Sequence, residues 1–515
     1  MQENKAYKPK NHIRIVTAAS LFDGHDAAIN VMRRILQSSG AEVIHLGHDR
    51  SVQEVVQCAI QEDVQAIAIT SYQGGHMEYF KYMYDLLQEA GCGHIRIFGG
   101  GGGVILPQEA EELHKYGIAR IYSPDDGRKM GLQGMINDLL RKADFEAGNL
   151  SGISADVIRS GNVRAIASLI SAAENHPDKA KEITRELRNT CSTLSSPVLG
   201  VTGTGGAGKS SLVDELVRRF LLANPGKKLA ILSVDPTRRK SGGALLGDRI
   251  RMNAINSPQV FMRSMATRQA NLALSKYISD AVCIVKNAGF DLVILESSGI
   301  GQSDTEIVDY ADLSLYVMTP EYGAASQLEK IDMLDFADVI AINKSDKRGA
   351  ADALRDVKKQ FVRNHKRWDD EPDSLPVFAT RASQFNDAGV NRLFNHLISL
   401  MNAKAGKDFK TFEIGAGEEQ GASAIIPPSR VRYLSEISDT VRNYNAYTER
   451  LAKEAAELQS LEQAGSLLKK ESQDVPETIL RRMEALRKSL GEDHLAVIGS
   501  WEEKKKRFSD PEYSY

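Results

Sequence analysis

The 515-residue sequence has few cysteines, no long apolar run and little net charge. Its four cysteines, Cys58, Cys92, Cys191 and Cys283, form no close pairs, which indicates neither a disulfide framework nor a thiolate zinc site. No segment approaches the roughly 18 consecutive apolar residues that span a membrane, and the N-terminus does not resemble a signal peptide. The net charge of −3 argues against nucleic-acid binding, which normally needs a basic surface. We therefore expect a reduced, cytoplasmic protein without a nucleic-acid or membrane partner.

The first part of the chain alternates short runs of β-branched residues with amphipathic segments of helical length. The runs occupy residues 13–18, 42–46, 66–70, 95–98 and 119–122. Strands separated by helices predict a parallel sheet with right-handed crossovers, and five of them fit a flavodoxin-like α/β fold. Such folds bind ligands in the loops at the carboxyl ends of the strands. Those loops hold His25, Ser71 and the glycine run that begins at Gly99.

The sequence divides into four segments. We predict a first α/β domain in residues 1–145 and a helical linker in 146–196. A second α/β pattern occupies 197–410, whereas 411–515 contain long, charged helical patterns without strands. This last segment fits a solvated helical hairpin or an arm used in association equally well.

A phosphate-binding loop follows the first strand of the second α/β pattern. The sequence GTGGAGKS lies between the apolar strand PVLGVT and the helix SLVDELVRRFLL, which is the context that validates a P-loop. Its glycines let backbone N–H groups surround phosphate oxygens at a helix N-terminus. We expect Lys209 to reach the β- and γ-phosphates as a catalytic residue, and Ser210 to ligate Mg²⁺. The residues of the loop are Gly203, Thr204, Gly205, Gly206, Ala207, Gly208, Lys209 and Ser210.

A second motif indicates which base is bound. The strand ADVIAI leads into NKSD, which comprises Asn343, Lys344, Ser345 and Asp346 and matches the guanine-reading motif of P-loop GTPases. A carboxylate at Asp346 can accept hydrogen bonds from the ring N–H and amine of guanine, a donor pair that adenine does not present. Lys344 would lie along the base, and backbone N–H groups near residues 379–382 could bond the guanine carbonyl. The sequence therefore predicts GTP rather than ATP.

Several acidic residues occur where metal ligands are expected. Asp235 and Glu296 each end an apolar strand, and Asp248 and Arg251 lie one helical turn apart. A lone acid of this kind is usually a helix cap or a surface carboxylate. Together, after a P-loop, the three acids are better explained as Mg²⁺-linked. We expect Glu296 to be the Walker-B carboxylate and Gln302 to orient the attacking water.

The motifs GTGGAGKSS, SVDP, TRRKSGGALLGDRIRM, ESSGIGQSD and NKSD together resemble the MeaB/ArgK-type GTPases over residues 150 to 410. Such GTPases are chaperones of adenosylcobalamin-dependent acyl-CoA mutases. The resemblance implies that Ser210, Asp235, Asp248 and Glu296 surround Mg²⁺ and that Ser297 contributes. It also implies that Asp248 and Arg251 contact the nucleotide. Family members hydrolyse GTP slowly, which implies that a partner domain orders the switch loops.

The turn after the first strand contains Asp23, Gly24 and His25. Alone, this pattern is more often a histidine near a helix N-terminus than a ligand. A neutral imidazole is nevertheless a good cobalt ligand, and a carboxylate on its other nitrogen fixes its tautomer. The turn resembles the D-x-H-x-x-G element of cobalamin-binding domains, which implies that His25 is the lower axial ligand of cobalt, oriented by Asp23.

The same resemblance assigns the buried dimethylbenzimidazole tail of the cofactor. Ser71 fits the position of a serine that bonds this tail, and Gly99, Gly100 and Gly101 fit the glycine-rich strand end that lets it approach the backbone. The chain departs from the family pattern with Ala28 in place of a glycine and Gln73 in place of a leucine. Alanine in a first helical turn is sterically mild, so we expect cobalamin binding to survive.

The order of the two domains is similar to that of the fused isobutyryl-CoA mutases, in which a TIM-barrel substrate domain follows. No eight-fold βα pattern follows residue 410. We therefore expect this chain to bind adenosylcobalamin, GTP and Mg²⁺ and to hydrolyse GTP. The resemblance implies that isobutyryl-CoA and n-butyryl-CoA are interconverted only when a mutase barrel is present in cis or trans. It also implies a homodimer, to which a cobalamin adenosyltransferase could deliver the cofactor. The alternatives are a GTP-driven cobalamin carrier and a cobalamin-responsive regulator without isomerase activity.

Overall fold

The computed structural model describes residues 5–268, 274–299, 305–323, 328–412 and 433–509. The chain forms two compact units, residues 1–423 and 424–515. The predicted boundaries near residues 145 and 196 lie inside the first unit and stay predictions. Within the described ranges, no helix is long and apolar enough to cross a membrane.

The first sheet forms as the alternation of strands and helices predicts. Its strands are β1 (Arg14–Ser20), β2 (Glu42–Arg50), β3 (Ala66–Thr70), β4 (Arg96–Gly100) and β5 (Arg120–Tyr122). Its helices are α1 (Asp26–Ser38), α2 (Val52–Gln61), α3 (His76–Glu89), α4 (Pro107–Tyr116) and α5 (Pro124–Ala143). The five strands are parallel in the order β5-β4-β3-β1-β2, which confirms the flavodoxin-like prediction.

Three helices then lead into a second parallel sheet. The helices are α6 (Ala155–Arg159), α7 (Val163–Asn175) and α8 (Pro177–Cys191). The strands that follow are β6 (Val198–Gly203), β7 (Leu229–Asp235), β8 (Ala244–Leu246), β9 (Val260–Ala266), β10 (Leu292–Glu296), β11 (Leu313–Met318), β12 (Val339–Ile342) and β13 (Val377–Ala379). Between and after them lie α9 (Lys209–Ala223), α10 (Ile278–Asn287), α11 (Ala350–His365) and α12 (Ala388–Ala405). The order of the seven-stranded sheet is β13-β12-β11-β6-β10-β7-β9, so the P-loop strand β6 is central.

Strand β8 does not belong to this second sheet. It pairs in parallel with β2 and becomes the sixth strand of the first sheet, with Glu42 opposite Ala244 and Ile44 opposite Leu246. The pattern of the sequence did not predict this strand, because three residues in a glycine-rich stretch carry no periodicity. A segment of the second α/β pattern therefore covers the edge of the first domain.

The second unit contains a helical hairpin. Its helices are α13 (Tyr433–Lys470), α14 (Glu477–Gly499) and the short α15 (Trp501–Arg507). Four leucines form its small core: Leu451, Leu458, Leu486 and Leu490. The long helical pattern predicted for this segment is confirmed, and a role in association stays a prediction.

One prediction about the cysteines is wrong. Cys191, at the end of α8, and Cys283, within α10, form a disulfide with their Cα atoms 5.4 Å apart. The two residues are 92 positions apart in sequence, so only the packing of α8 against α10 brings them together. Cys58 and Cys92 are free and buried.

Candidate functional site

The loop after β1 presents a histidine that an aspartate holds in place. Oδ1 of Asp23 accepts hydrogen bonds from Nδ1 of His25 at 2.8 Å and from its backbone N–H at 2.9 Å. Oδ2 accepts from the backbone N–H of Tyr72 at 2.6 Å. The Asp23 side chain is 1% exposed, whereas that of His25 is 74% exposed. Because Nδ1 is bonded to the carboxylate, Nε2 is the ring nitrogen that faces an approaching ligand.

The charge of Asp23 is stabilised by this arrangement. Burial alone would raise its pKa, but the N–H groups of Tyr72 and His25 and the imidazole together hold the pKa below its usual value. A carboxylate that stays ionised keeps the proton of His25 on Nδ1. Nε2 then has the lone pair that a metal ligand needs.

The serine and glycines predicted for the cofactor tail lie at the neighbouring strand ends. Ser71 is buried, accepts a hydrogen bond from the Ser20 hydroxyl at 2.9 Å, and donates its N–H to the carbonyl of Gly100. A Cβ at Gly101 would lie 1.9 Å from the carbonyl oxygen of Ser71, and a Cβ at Gly99 2.4 Å from Phe80. The glycines are therefore required by the packing of the protein itself, whatever they also allow a ligand to do.

An open cavity of about 240 Å³ lies between the sheet and helices α1 and α5. Ala28, Met32, Tyr122 and Met135 line it, together with the glycine run. In this cavity Thr70 has a buried hydroxyl oxygen without a hydrogen-bond partner. A mostly apolar cavity with an unpaired polar atom fits a flat heteroaromatic group. Ala28, which replaces the family glycine, lines this cavity.

The P-loop turns into α9 through a left-handed glycine. Gly208 precedes α9 with a φ of 89°, a left-handed conformation that L side chains rarely adopt. Nζ of Lys209 donates to the carbonyl oxygens of Gly203 at 3.0 Å and Thr204 at 3.4 Å. The hydroxyl oxygens of Thr204 and Ser298 are buried without a hydrogen-bond partner. These unpaired atoms beside a helix N-terminus fit a phosphate chain.

Three acids gather beside the first turn of α9. Oγ of Ser210 lies 2.8 Å from Oε1 of Glu296 and 3.1 Å from Oδ1 of Asp248. Asp235 accepts the N–H of Gly247 at 3.1 Å. Burial, followed by the nearby charge of Asp248, raises the pKa of Glu296 and of Asp235 well above the usual range.

These acids suit a cation that also takes ligands from the nucleotide. Oε2 of Glu296 is buried without a partner. Within the described ranges, no group of three His, Cys, Asp or Glu side chains forms a ready-made metal cage. Mg²⁺ usually takes one or two carboxylates and completes its octahedron with phosphate oxygens and water. The arrangement fits that need.

Two other predicted residues stand outside this hydrogen-bonded cluster. Ser297 is buried with its hydroxyl 2.7 Å from that of Thr202, so its observed partner is the P-loop strand. Arg251 is exposed and donates its backbone N–H to the carbonyl of Asp248. Gln302 lies outside the described residues.

The guanine motif is attached to the P-loop. Nδ2 of Asn343 and Nζ of Lys344 each donate to a P-loop carbonyl oxygen at 2.8 Å. Oδ1 of Asn343 accepts from the N–H of Ala382 at 3.0 Å, which holds the loop predicted to contact the guanine carbonyl. The N–H of Ser345 donates to the carbonyl oxygen of Thr380 in the same loop, and Asp346 is exposed. Asn343 and Lys344 thus tie the motif to the phosphate loop.

Sequence reasoning missed the contact between the two domains. Arg249 is 4% exposed and donates to Oε1 of Glu62 at 2.7 Å and to Oε1 of Gln61 at 2.9 Å. Glu62 also binds Arg14, and both side chains are fully buried. The only signal in the sequence is an arginine directly after Asp248, which by itself indicates no partner.

The fold and the two sites define a cobalamin-binding domain followed by a P-loop GTPase. A model of the B12 binding domain matches residues 13–127, and a model of the methylmalonyl-CoA mutase-associated GTPase MeaB matches residues 163–410. The chain is 53% identical over 98% of its length to a fused isobutyryl-CoA mutase of Geobacillus kaustophilus. It is also 53% identical over 98% of its length to a fused isobutyryl-CoA mutase of Cupriavidus metallidurans.

The chain therefore belongs to the family of fused isobutyryl-CoA mutases and carries its cobalamin-binding and GTPase domains. It covers 47% of the Geobacillus relative and 46% of the Cupriavidus relative, so it spans about half the length of these proteins. The family resemblance and the order of the two domains are confirmed.

Proposed function

We propose that this chain binds adenosylcobalamin through Nε2 of His25 and uses GTP hydrolysis to control delivery of the cofactor to an acyl-CoA mutase domain. The observation that carries the proposal is the exposed imidazole, whose Nδ1 is bonded to the buried carboxylate of Asp23. The apolar cavity beside it would take the dimethylbenzimidazole tail, with Ser71 and Thr70 as its polar contacts. Bound adenosylcobalamin would supply the radical chemistry of a carbon-skeleton rearrangement.

In the GTPase site, each predicted residue has a distinct role in this proposal. Lys209 would leave the loop carbonyl oxygens for the β- and γ-phosphates, and Ser210 would ligate Mg²⁺. Glu296 and Asp248 would hold Mg²⁺ directly or through water, and Asp235 would complete the acidic wall around it. The support for this assignment is the distances among the Ser210 hydroxyl and the two carboxylates.

The remaining nucleotide contacts follow from sequence position. The motif from Asn343 to Asp346 would read guanine, and Arg251 would contact the nucleotide. Gln302 would orient the attacking water, and Ser297 would act through the strand that precedes the P-loop.

The activity of the whole assembly belongs to this proposal as well. With a TIM-barrel mutase domain in cis or trans, the assembly would interconvert isobutyryl-CoA and n-butyryl-CoA. We propose a cytoplasmic homodimer that receives its cofactor from a cobalamin adenosyltransferase. The support is similarity over nearly the whole chain to fused mutases that are about twice as long.

The visible spectrum of bound cobalamin tests the axial ligand. In wild type we expect a base-off, histidine-ligated spectrum, and His25→Ala should abolish it. Asp23→Asn should weaken binding by about 10- to 100-fold, the usual cost of losing such a ligand-orienting partner. His48→Ala, at another exposed histidine, is the matched control and should leave the spectrum unchanged. An unchanged spectrum in His25→Ala contradicts the assignment.

A further inference from the structure

One short segment of the GTPase touches both sites. Residues 244–251, which we name the bridging segment, begin with β8 on the edge of the cobalamin-domain sheet. The three consecutive residues 248, 249 and 250 then contact three different parts of the protein. Asp248 bonds Ser210 at the nucleotide site, Arg249 bonds Glu62 inside the cobalamin domain, and Ile250 lies over Gly47 of β2. No linker separates the nucleotide site from the cobalamin domain.

The contact at Gly47 is tight. A Cβ at this glycine would lie 2.9 Å from Cδ1 of Ile250, and its φ is 86°. The pairing of β1 with β2 shifts register at this point, because Thr17 pairs with His45 but Ala18 pairs with Gly47. Ile250 therefore packs against an irregular part of the strand, where the ladder is locally disrupted.

Beyond Gly47, β2 is connected to the loop that carries His25. Oδ1 of Asp49 accepts the backbone N–H of Phe22 at 2.7 Å. Asp49 and Phe22 have φ values of 57° and 62°, a conformation that is rare for a bulky residue such as phenylalanine and persists only where its surroundings hold it. The next residue after Phe22 is Asp23, which orients His25.

We propose that the bridging segment couples nucleotide binding to the position of the His25 loop, an inference that rests on the function proposed above. Ile250 of the segment and Asp49 of β2 are the positioning residues. Mg²⁺ held by Ser210 and Asp248 would replace the hydrogen bond between these two side chains and so act on the segment directly. Strand β8 is paired with β2, so the segment and β2 move together. The displacement reaches Phe22 through Asp49, and both ligands bias the same element.

The test measures the dissociation constant of adenosylcobalamin in the full chain, with and without a non-hydrolysable GTP analogue and Mg²⁺. The ratio of the two constants is the coupling factor, and thermodynamic linkage requires the same factor in the affinity for the analogue. In wild type we expect a factor of about 5 or more in either direction. Ile250→Ala and Asp49→Ala should each bring it to within about twofold of one.

Matched variants separate coupling from damage to the fold. Asp49→Asn keeps an oxygen acceptor for the Phe22 N–H and should retain the wild-type factor. Leu222→Ala removes an exposed aliphatic side chain elsewhere in the GTPase and should do the same. The affinity for each ligand alone should stay within about threefold of wild type in all four variants. If one alanine variant does not fold, the other tests the same connection.

The possible outcomes are distinct. Wild-type coupling in both alanine variants, or a wild-type factor near one with both ligands bound, overturns the coupling and leaves the proposed function intact. Failure of wild type to bind cobalamin or the GTP analogue alone overturns the proposed function, and the coupling with it. Loss of coupling in Ile250→Ala and Asp49→Ala, with retention in Asp49→Asn, supports the route.

Discussion

Glu62 is the residue whose substitution should most weaken the contact between the two domains. Its carboxylate accepts hydrogen bonds from Arg14 at 2.5 Å, from Arg249 at 2.7 Å and from the N–H of Ser264 at 3.0 Å. Two of these partners come from the GTPase and one from the cobalamin domain. Burial alone would raise the pKa of Glu62, but the guanidinium groups of Arg249 and Arg14 hold it below the usual value.

Glu62→Gln keeps the shape of the side chain and removes its charge. The amide oxygen can still accept one arginine, but the amide nitrogen must face the other as donor against donor. The buried guanidinium groups of Arg14 and Arg249 then have no carboxylate between them, although Arg14 still binds Glu42 at 2.8 Å. Removing one partner of a buried ion pair typically costs about 3–5 kcal/mol. We expect the free energy of unfolding to fall by about that amount.

Urea unfolding followed by circular dichroism measures this loss. Glu112→Gln is the matched control, because Glu112 is 59% exposed in its ion pair with Lys81 and such pairs are worth about 1 kcal/mol or less. A loss below about 1 kcal/mol for Glu62→Gln would show that the buried network does not hold the domains together.

Three further predictions concern pH, redox state and base selectivity. Burial, followed by the charge of Arg33, lowers the pKa of His45 to about 4 from 6.5, so stability is lost as pH falls between these values. Unfolding at pH 7.5 and pH 5 should show about 2 kcal/mol more loss in wild type than in His45→Gln. The 92-residue loop closed by Cys191 and Cys283 should contribute up to about 4.6 kcal/mol, measured as the loss on changing both to serine without reductant; equal stabilities would contradict it. Asp346→Ala should lower GTP affinity by at least about 10-fold in calorimetric titration and leave weak ATP binding unchanged.

Both sheets could be predicted because their strands are buried on both faces. Such strands appear in the sequence as continuous apolar runs that alternate with amphipathic helices. The run at 66–70 coincides with β3 (Ala66–Thr70), and the run at 42–46 lies within β2 (Glu42–Arg50). The P-loop and the guanine motif were predictable for a different reason, since their residues are contiguous and their chemistry is local.

The features that the sequence did not predict are all long-range. Strand β8 has only three residues, Ala-Leu-Leu. Nothing in this short sequence indicates that the strand pairs with β2, some 200 positions earlier. The Cys191–Cys283 disulfide depends on how α8 packs against α10. The family resemblance predicts a role for Ser71, but nothing in the sequence predicts its hydrogen bond from the Ser20 hydroxyl. The periodicity of apolar residues indicates which face of a helix or strand is buried. It does not indicate which other element that face packs against.

The buried charges at the domain contact explain why the two sites share one compact unit. Cutting the chain between residues 145 and 196 would leave β2 as an open edge strand, which parallel sheets normally avoid. It would also remove Arg249 from Glu62 and Arg268 from Glu42, leaving buried carboxylates with fewer cations. Asp248 of the nucleotide site follows the edge strand β8 by two residues, and this continuity makes coupling between the two ligands the natural expectation.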